Sequence, residues 1–318
     1  MKILLTGGAG FIGSHVAEAL LKRGDNVVLV DNMNDYYDIT LKESRIQDLL
    51  HYDTAVFVKA DIADETAMET LFKEHQFDKV CHLAAQAGVR YSIEQPLLYD
   101  RTNGKGTLVL FECCRKHAVK DIVFASSSSV YGGSDQLPFK EDDPVDMPLA
   151  MYAVTKRYNE LQAYAYHKLY GLNCTGLRFF TVYGPKGRPD MALFKFTKAI
   201  LENKPIEVYN DGKMLRDFTF ISDIVSGVVG AIDKPFPYEI INLARGEQVQ
   251  LLAFIEAIEK ALGKKAEKQL LPMQQGDVPA THGDITKAQK LLGYDPRVSI
   301  EEGVAAFVAW YTEYYKVK

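Results

Sequence analysis

Thr6-Gly7-Gly8-Ala9-Gly10-Phe11-Ile12-Gly13 is the stretch whose reading decides the fold. It follows the apolar run Lys2-Ile3-Leu4-Leu5, which reads as a buried strand, and opens onto Ser14-His15-Val16-Ala17-Glu18-Ala19-Leu20-Leu21, which reads as a helix. A strand, a glycine turn and a helix in that order form a pyrophosphate site. Gly7 permits the sharp turn, Gly10 the approach of backbone to phosphate, and Gly13 the close packing of helix on strand. The helix N-terminus then offers free N–H groups and a positive dipole end to the anion. A second strand, Asn26-Val27-Val28-Leu29-Val30, ends in Asp31, 18 residues after Gly13. That is where an acid takes the 2′-hydroxyl of an adenosine ribose. Asn32 follows it, and no Arg or Lys follows closely, so a 2′-phosphate would meet repulsion. The expected cofactor is NAD rather than NADP.

Outward from this turn, strand-like runs alternate with helical ones. Strands are expected at 2–6, 26–31, 55–60, 79–84, 121–126 and 173–179, and helices at 12–23, 40–50, 65–74, 103–117 and 151–170. The alternation argues for an α/β fold with a doubly wound parallel sheet of Rossmann type, helices lying on both faces. The second half is less regular: a Pro/Gly-rich stretch at 184–190, a helix near 191–203, a strand Ile206-Glu207-Val208-Tyr209, and amphipathic helices near 251–262 and 300–315. This gives a dinucleotide-binding domain over 1–178 and a smaller mixed α/β substrate lobe over 179–318, some segments of which return to the first domain.

The balance of 47% hydrophobic and 25% charged residues in 318 is that of an ordinary globular protein. A net charge of -5 with no basic run gives no case for nucleic acid. Four cysteines make neither a disulfide framework nor a zinc spacing, and the seven histidines show no ligand spacing, so no metal is expected. No apolar run approaches the ~20 residues that span a bilayer. The sequence opens on a strand-like run, so no signal peptide is expected. The expectation is a reducing, cytoplasmic setting without membrane contact.

The second informative stretch is Tyr152-Ala153-Val154-Thr155-Lys156. On a helix, i and i+4 share a face. The lysine charge can then favour the phenolate, making Tyr152 a general base. Before it, Ile122-Val123-Phe124 runs into Ala125-Ser126-Ser127-Ser128-Ser129-Val130-Tyr131-Gly132. These hydroxyls stand at the carboxyl end of a parallel strand, where open α/β sheets bind ligands.

Together these residues resemble the extended short-chain dehydrogenases/reductases that act on nucleotide sugars. The resemblance covers essentially the whole chain. It rests on Gly7, Gly10 and Gly13, Asp61-Ile62, His82-Leu83-Ala84-Ala85, Asn103, the serine strand, Tyr152 with Lys156, Leu177-Arg178-Phe179-Phe180-Thr181-Val182-Tyr183-Gly184-Pro185, and Arg216-Asp217-Phe218. It implies Ser127, Tyr152 and Lys156 as catalytic residues. Tyr152 would take a proton from a sugar hydroxyl while hydride leaves the same carbon, Ser127 would bond that oxygen, and Lys156 would also hold the nicotinamide ribose. The implied cofactor contacts are Gly7, Gly10, Phe11, Ile12, Gly13, Asp31, Asn32, Asp61, Ile62, Leu83, Ala84 and Ala85, with Tyr152 and Lys156. Asp61 is placed at the end of the third strand, within reach of an adenine amino group.

Departures within the family narrow the chemistry. The 4,6-dehydratases carry Asp-Glu directly after the catalytic Thr, where this chain has Ser128 and Ser129. The UDP-glucuronate decarboxylases carry Glu at the position of Ser129, and the UDP-galactose 4-epimerases carry Asn at that of Thr181. The combination of Ser128, Ser129, Thr181 and Gly187-Arg188-Pro189-Asp190-Met191-Ala192 is similar to the UDP-glucuronate 4-epimerases, as is Asp31 to Asp38 with Leu41-Lys42 and Arg45. The resemblance therefore implies interconversion of UDP-glucuronate and UDP-galacturonate. The alternatives are 4-epimerisation of UDP-glucose/UDP-galactose and a non-catalytic NAD-binding protein. Oxidising C4 of a glucuronate makes a β-keto acid, which loses carbon dioxide when the carboxylate bond lies perpendicular to the carbonyl. Hydroxyls from Ser128, Ser129 and Thr181, with Arg188, suit the task of holding the carboxylate in a non-reactive rotamer. Arg216 matches the arginine that pairs with a UDP phosphate; its alternative is a surface ion pair with Asp217. Asp277 resembles a position near the uridine ribose, and Arg90 is placed to reach substrate or a cofactor phosphate. A homodimer through the helices at 103–117 and 151–170 is implied by the family alone.

Overall fold

The computed structural model describes residues 1–317. In chain order the elements begin β1 (Lys2–Thr6), α1 (Phe11–Lys22), β2 (Asn26–Asp31), α2 (Ile39–Leu49), β3 (Ala55–Lys59), α3 (Glu65–Glu74) and β4 (Lys79–His82). Two short turns follow, α4 (Tyr91–Glu94) and α5 (Pro96–Tyr99), then a π-helical segment at Asp100–Lys105 that runs into α6 (Gly106–Lys116). Next come β5 (Asp121–Ser127), α7 (Met151–Tyr170), β6 (Asn173–Phe179), β7 (Thr181–Tyr183), α8 (Ala192–Leu201), β8 (Ile206–Tyr209), β9 (Leu215–Arg216), β10 (Phe218–Phe220) and α9 (Ile221–Asp233). The chain closes with β11 (Tyr238–Leu243), β12 (Val249–Gln250), α10 (Leu251–Leu262), β13 (Lys268–Leu271), α11 (Thr286–Leu292) and α12 (Ile300–Tyr314).

Seven strands form one parallel sheet in the order β11-β6-β5-β4-β1-β2-β3. Side chains alternate across a strand, and both faces here are apolar. Ile3, Leu5, Val27 and Leu29 enter one core with α1 and α9, while Leu4, Val28 and Val30 enter another with α3 and α6. Burial on both faces is why these strands read as continuous apolar runs. The strand order reverses between β1 and β4, the crevice where such sheets bind dinucleotides.

A third core lies in the lobe, where Phe194, Phe218, Phe254 and Phe307 pack. The boundary read near 178 falls inside β6. The chain then returns to the sheet, because β11 pairs in parallel with β6 from Tyr238↔Cys174 to Leu243↔Phe179. Helix α9 likewise buries Ile224, Val228 and Ala231 against the first core. The lobe is thus threaded through the half that carries the glycine turn rather than appended to it.

Two local departures bear on the site. Strand β4 stops at His82, two residues before the expected end, because the chain must pass Gly7: a Cβ there would lie 2.7 Å from the Ala84 nitrogen. The helix expected from 103 is wound as a π-segment through residue 105. The wider winding frees carbonyls that α7 takes up. Asn159 Nδ2 donates to the Asn103 carbonyl (2.9 Å) and Gln162 Nε2 to that of Gly104 (3.2 Å). The Asn103 side chain in turn accepts from Gln86 N (2.8 Å) and donates to Thr155 Oγ1 (3.1 Å). The helix of Tyr152 and the loop after β4 are thereby tied together.

Candidate active site

Two cavities meet at the carboxyl ends of the sheet strands. The first is lined by Gly7, Gly10, Phe11, Ile12, Gly13, Asp31, Asn32, Ile62, Leu83, Ala84 and Ala85, with Tyr152 and Lys156. The glycine turn fits a dinucleotide. A Cβ on Gly13 would sit 2.0 Å from the Gly7 carbonyl oxygen and one on Gly10 would sit 2.9 Å from it, so side chains are excluded where backbone must approach a ligand. The N-cap of α1 is Gly10, without a side-chain cap, and its first turn carries no acid. Its free N–H groups and positive end are left for an anion. Asp31 accepts from Ala9 N (3.2 Å) and Met33 N (2.9 Å), which fixes its carboxylate beside the turn.

Two details differ from the sequence reading. Asp61 does not line the cavity, although Ala60 and Ile62 beside it do. Its carboxylate accepts from Ala63 N (2.9 Å) and Arg101 Nη2 (2.8 Å). A cation does stand near Asp31. Lys42 lines the same cavity, donating to Asn34 O (2.8 Å) and Oδ1 (2.7 Å). It is eleven residues beyond Asp31 in sequence, and the fold-back of α2 brings it there.

The second cavity, of about 780 Å³, is lined by Ser128, Ser129, Thr181, Arg216 and Asp277, with Arg90, Lys195 and Tyr209. Ser127, Tyr152 and Arg188 line both cavities. Every residue expected to touch substrate, and the Ser–Tyr pair expected to do chemistry, thus faces one continuous cleft. Ser127 ends β5, and its Oγ accepts from Ser129 N (3.2 Å), which starts the short 3₁₀ turn of Ser128–Tyr131. The Ser129 hydroxyl is buried without a hydrogen-bond partner at the wall of the second cavity.

The electrostatics correct the simple Tyr–Lys picture. Burial pushes the Tyr152 phenol up; the groups pulling it back are the Arg188 guanidinium and a hydrogen bond with Ser127. The Lys156 ammonium bonds backbone while it stands over the Tyr152 ring. Its Nζ donates to the Ala125 carbonyl (2.7 Å) and stands 5.9 Å from the Tyr152 ring centre. Burial pulls the Lys156 ammonium down to about 8, opposed by the charge of Glu160. Glu160 is fully buried and accepts from Ser126 Oγ (2.7 Å) and from Arg178 Nε and Nη2 (2.8 and 2.9 Å). This pair ties α7 to β5 and β6 and sets Tyr152 and Lys156 against Ser127. No sequence signal marked Glu160.

Arg188 forms a two-pronged pair with Asp190 (3.0 and 2.5 Å), whose other neighbour is the Tyr36 hydroxyl (3.3 Å). Its guanidinium charge is thereby held more firmly, against the pull of burial. Asp190 and Tyr36 stood in the sequence only within matching segments, with no role assigned; an acid two residues from a site arginine was the available signal. Arg216 does not pair with Asp217. Its Nη2 donates to Asp277 Oδ1 (2.7 Å), and Arg90 stands 3.8 Å from the same carboxylate and over the Tyr209 ring. Asp217 is wholly buried and accepts from Arg245 N, Gly246 N and Gly283 N. His82 is a core residue, its ring held between Thr6 Oγ1 (2.7 Å) and Thr107 Oγ1 (2.9 Å).

Residues 4–307 match the family model described as GDP-mannose 4,6 dehydratase. The chain belongs to this family. A UDP-glucuronate 4-epimerase of Thermodesulfobacterium geofontis is 48% identical over 311 residues, covering 98% of this chain and 96% of the relative. Among solved structures, UDP-glucuronic acid 4-epimerase from Bacillus cereus, in complex with UDP-glucuronic acid and NAD, is 39% identical with a TM-score of 0.94, covering 99% and 100% of the two chains. UDP-glucose 4-epimerase of Thermotoga maritima with UDP-glucose is 32% identical at a TM-score of 0.91, again over 99% and 100%.

Proposed function

We propose that this family member is a UDP-glucuronate 4-epimerase, interconverting UDP-glucuronate and UDP-galacturonate by transient oxidation at C4. The observation that carries the reading is the meeting of the two cavities at Ser127, Tyr152 and Arg188, with Ser128, Ser129 and Thr181 beside them. The relatives and their complexes support the same substrate class.

NAD, when bound in the first cavity, supplies a reversible hydride acceptor at C4. Gly7, Gly10 and Gly13 admit its diphosphate, Asp31 its adenosine ribose, and Lys156 its nicotinamide ribose. Tyr152 Oη takes the proton from the C4 hydroxyl and later returns it. Ser127 Oγ bonds the same oxygen and steadies the charge that develops there. Arg188 favours the phenolate by its charge. Inversion requires the keto sugar to present its other face, and the roomy second cavity allows this while Arg216 holds the UDP. In that interval Ser128, Ser129, Thr181 and Arg188 keep the C5 carboxylate out of the perpendicular geometry that releases carbon dioxide.

The deciding experiment is proton NMR of the purified protein with UDP-glucuronate and no added cofactor. UDP-galacturonate should appear, and denatured protein should release NAD. Conversion of UDP-glucose with no conversion of UDP-glucuronate would assign the chain to neutral hexoses; NADP in the released fraction would overturn the role of Asp31.

The working form proposed is a homodimer. Helix α7 leaves Val154, Tyr158, Leu161 and Tyr164 exposed at helical spacing, and Leu97 beside it is 83% exposed. Such a stripe favours a second copy. Light scattering at micromolar concentration should give about twice the 35.7 kDa chain mass; a monomer would contradict the assignment. Among the described residues no helix is long and apolar enough to cross a membrane. Four free, buried cysteines support the cytoplasmic setting proposed for it.

A further inference from the structure

Arg45, on α2, is fully buried, yet no carboxylate partners it. Its Nη1 donates to the Ala9 carbonyl (2.8 Å) and the Tyr37 hydroxyl (2.6 Å). Its Nη2 donates to the carbonyls of Lys186 (2.6 Å) and Gly187 (3.4 Å), and its Nε has no partner. A buried guanidinium without a counter-ion is expensive, so its acceptors must be read as a set. They belong to two separate parts of the cleft. Ala9 is the middle of the glycine turn, and its N–H is held by Asp31. Lys186 and Gly187 immediately precede Arg188.

The second of these parts needs holding. Lys186 adopts φ +56°, a left-handed conformation unfavourable for a side-chain-bearing residue. Gly187 N bonds back to Gly184 O (3.1 Å), and a Cβ on Gly187 would meet that oxygen at 2.9 Å. Helix α2 grips this turn twice, through Arg45 on the Lys186 carbonyl and through Asp48 on the Lys186 ammonium. One residue later, Arg188 enters both cavities.

We propose that Arg45 is a positioning residue that locks the cofactor's glycine turn to the turn presenting Arg188. Assembly of the dinucleotide site and placement of the carboxylate-reading arginine are then one event. The planar fork is essential, since its two terminal nitrogens serve the two turns separately. Lysine carries its three donors on a single nitrogen and cannot span the two turns as the separated terminal nitrogens of the fork do. The inference rests on the reading of Arg188 as a contact for the substrate carboxylate.

The test is Arg45→Lys in the protein as purified, with three readouts. NAD released per chain on denaturation should fall severalfold. The ratio of kcat/KM for UDP-glucuronate over UDP-glucose should fall about tenfold, with more pentose by-product per turnover. Arg45→Lys should cost little further in that ratio when Arg188 is already alanine, because the two act through one contact. A lowered melting temperature with NAD content and ratio unchanged would reduce Arg45 to a structural role and overturn the proposal, as would full additivity with Arg188→Ala. Where Arg45→Lys does not fold, Lys186→Gly relaxes the left-handed residue and removes the Asp48 tether with Arg45 left in place. It should lower the same ratio, and an unchanged ratio would again overturn the proposal. If the wild-type protein does not convert UDP-glucuronate, the substrate reading fails. The NAD readout then still decides whether Arg45 holds the glycine turn, and unchanged NAD content would refute that half.

Discussion

Replacing Ser129 with alanine separates stability from chemistry, because the structure gives its hydroxyl no partner. Most losses of a buried hydrogen-bonding group weaken the fold and the function together. Here the Oγ is buried and bonds to nothing in the chain, on a residue that lines the second cavity. Removing it costs no protein hydrogen bond, so the melting temperature should hold or rise. If the hydroxyl bonds the C5 carboxylate, the reaction loses a hydrogen bond to a charged group, about 1.5–3 kcal/mol. At tenfold per ~1.4 kcal/mol this is a loss of roughly 10- to 150-fold in kcat/KM on UDP-glucuronate. UDP-glucose, having no carboxylate, should lose no more than about threefold on the same reasoning. The pentose by-product should rise with the loss of rotamer control. The assay is NMR progress curves on both substrates beside a thermal melt. An unchanged rate on UDP-glucuronate, or a melting temperature that drops while both substrates slow equally, would refute the assignment of this hydroxyl to the carboxylate.

Tyr152→Phe should abolish turnover while bound NAD, read from the denatured protein, stays at the wild-type level; activity within a few-fold of wild type would remove Tyr152 as the base. Gly13→Ala would place a Cβ 2.0 Å from the Gly7 carbonyl oxygen, with backbone on both sides of the contact. The turn must open, so the purified variant should carry almost no NAD; a normal cofactor content would show that the turn yields more easily than its packing suggests. His82 is held neutral, pulled from 6.5 down to about 3 by burial and then by the Lys156 charge. The unfolded chain therefore takes up a proton below pH 6.5 that the folded chain refuses, and stability present above that pH is lost as pH falls. Between pH 8 and 5 the loss is about 2 kcal/mol. Urea unfolding of His82→Gln against wild type isolates it, since Asp217, raised to about 6 by burial, acts with the opposite sign in both proteins. Equal pH slopes in the two proteins would show that His82 charges within the folded core.

The dinucleotide half was legible in the sequence because its determinants are local. Strand, glycine turn and helix are consecutive, and the turn chemistry of Gly7, Gly10 and Gly13 depends on residues within one supersecondary unit. The strand β5 and the helix α7 were legible for the same reason, and with them the place of the serine run and of the Tyr152–Lys156 pair; the choice of Ser127 within the run came from the family resemblance. Thr181, Arg188, Arg216 and Asp277 came from matching motifs, and their convergence on one cavity is a tertiary fact. What only the folded chain decided is which charges meet. Lys156 sits one helical turn from Tyr152, yet it bonds the Ala125 carbonyl, while Arg188, 36 residues on, is the charge that pulls the Tyr152 phenol down. Asp217 adjoins Arg216 but is buried among three backbone N–H groups, and Asp277 takes the arginine instead. Arg45, Lys42, Glu160 and Asp190 act across gaps that no spacing rule spans. Hydrophobic period and turn chemistry operate over a few residues and are written in the chain itself. Pairing of buried charges is set by whichever partners the packed sheet and lobe bring together, and sequence distance carries almost no information about that.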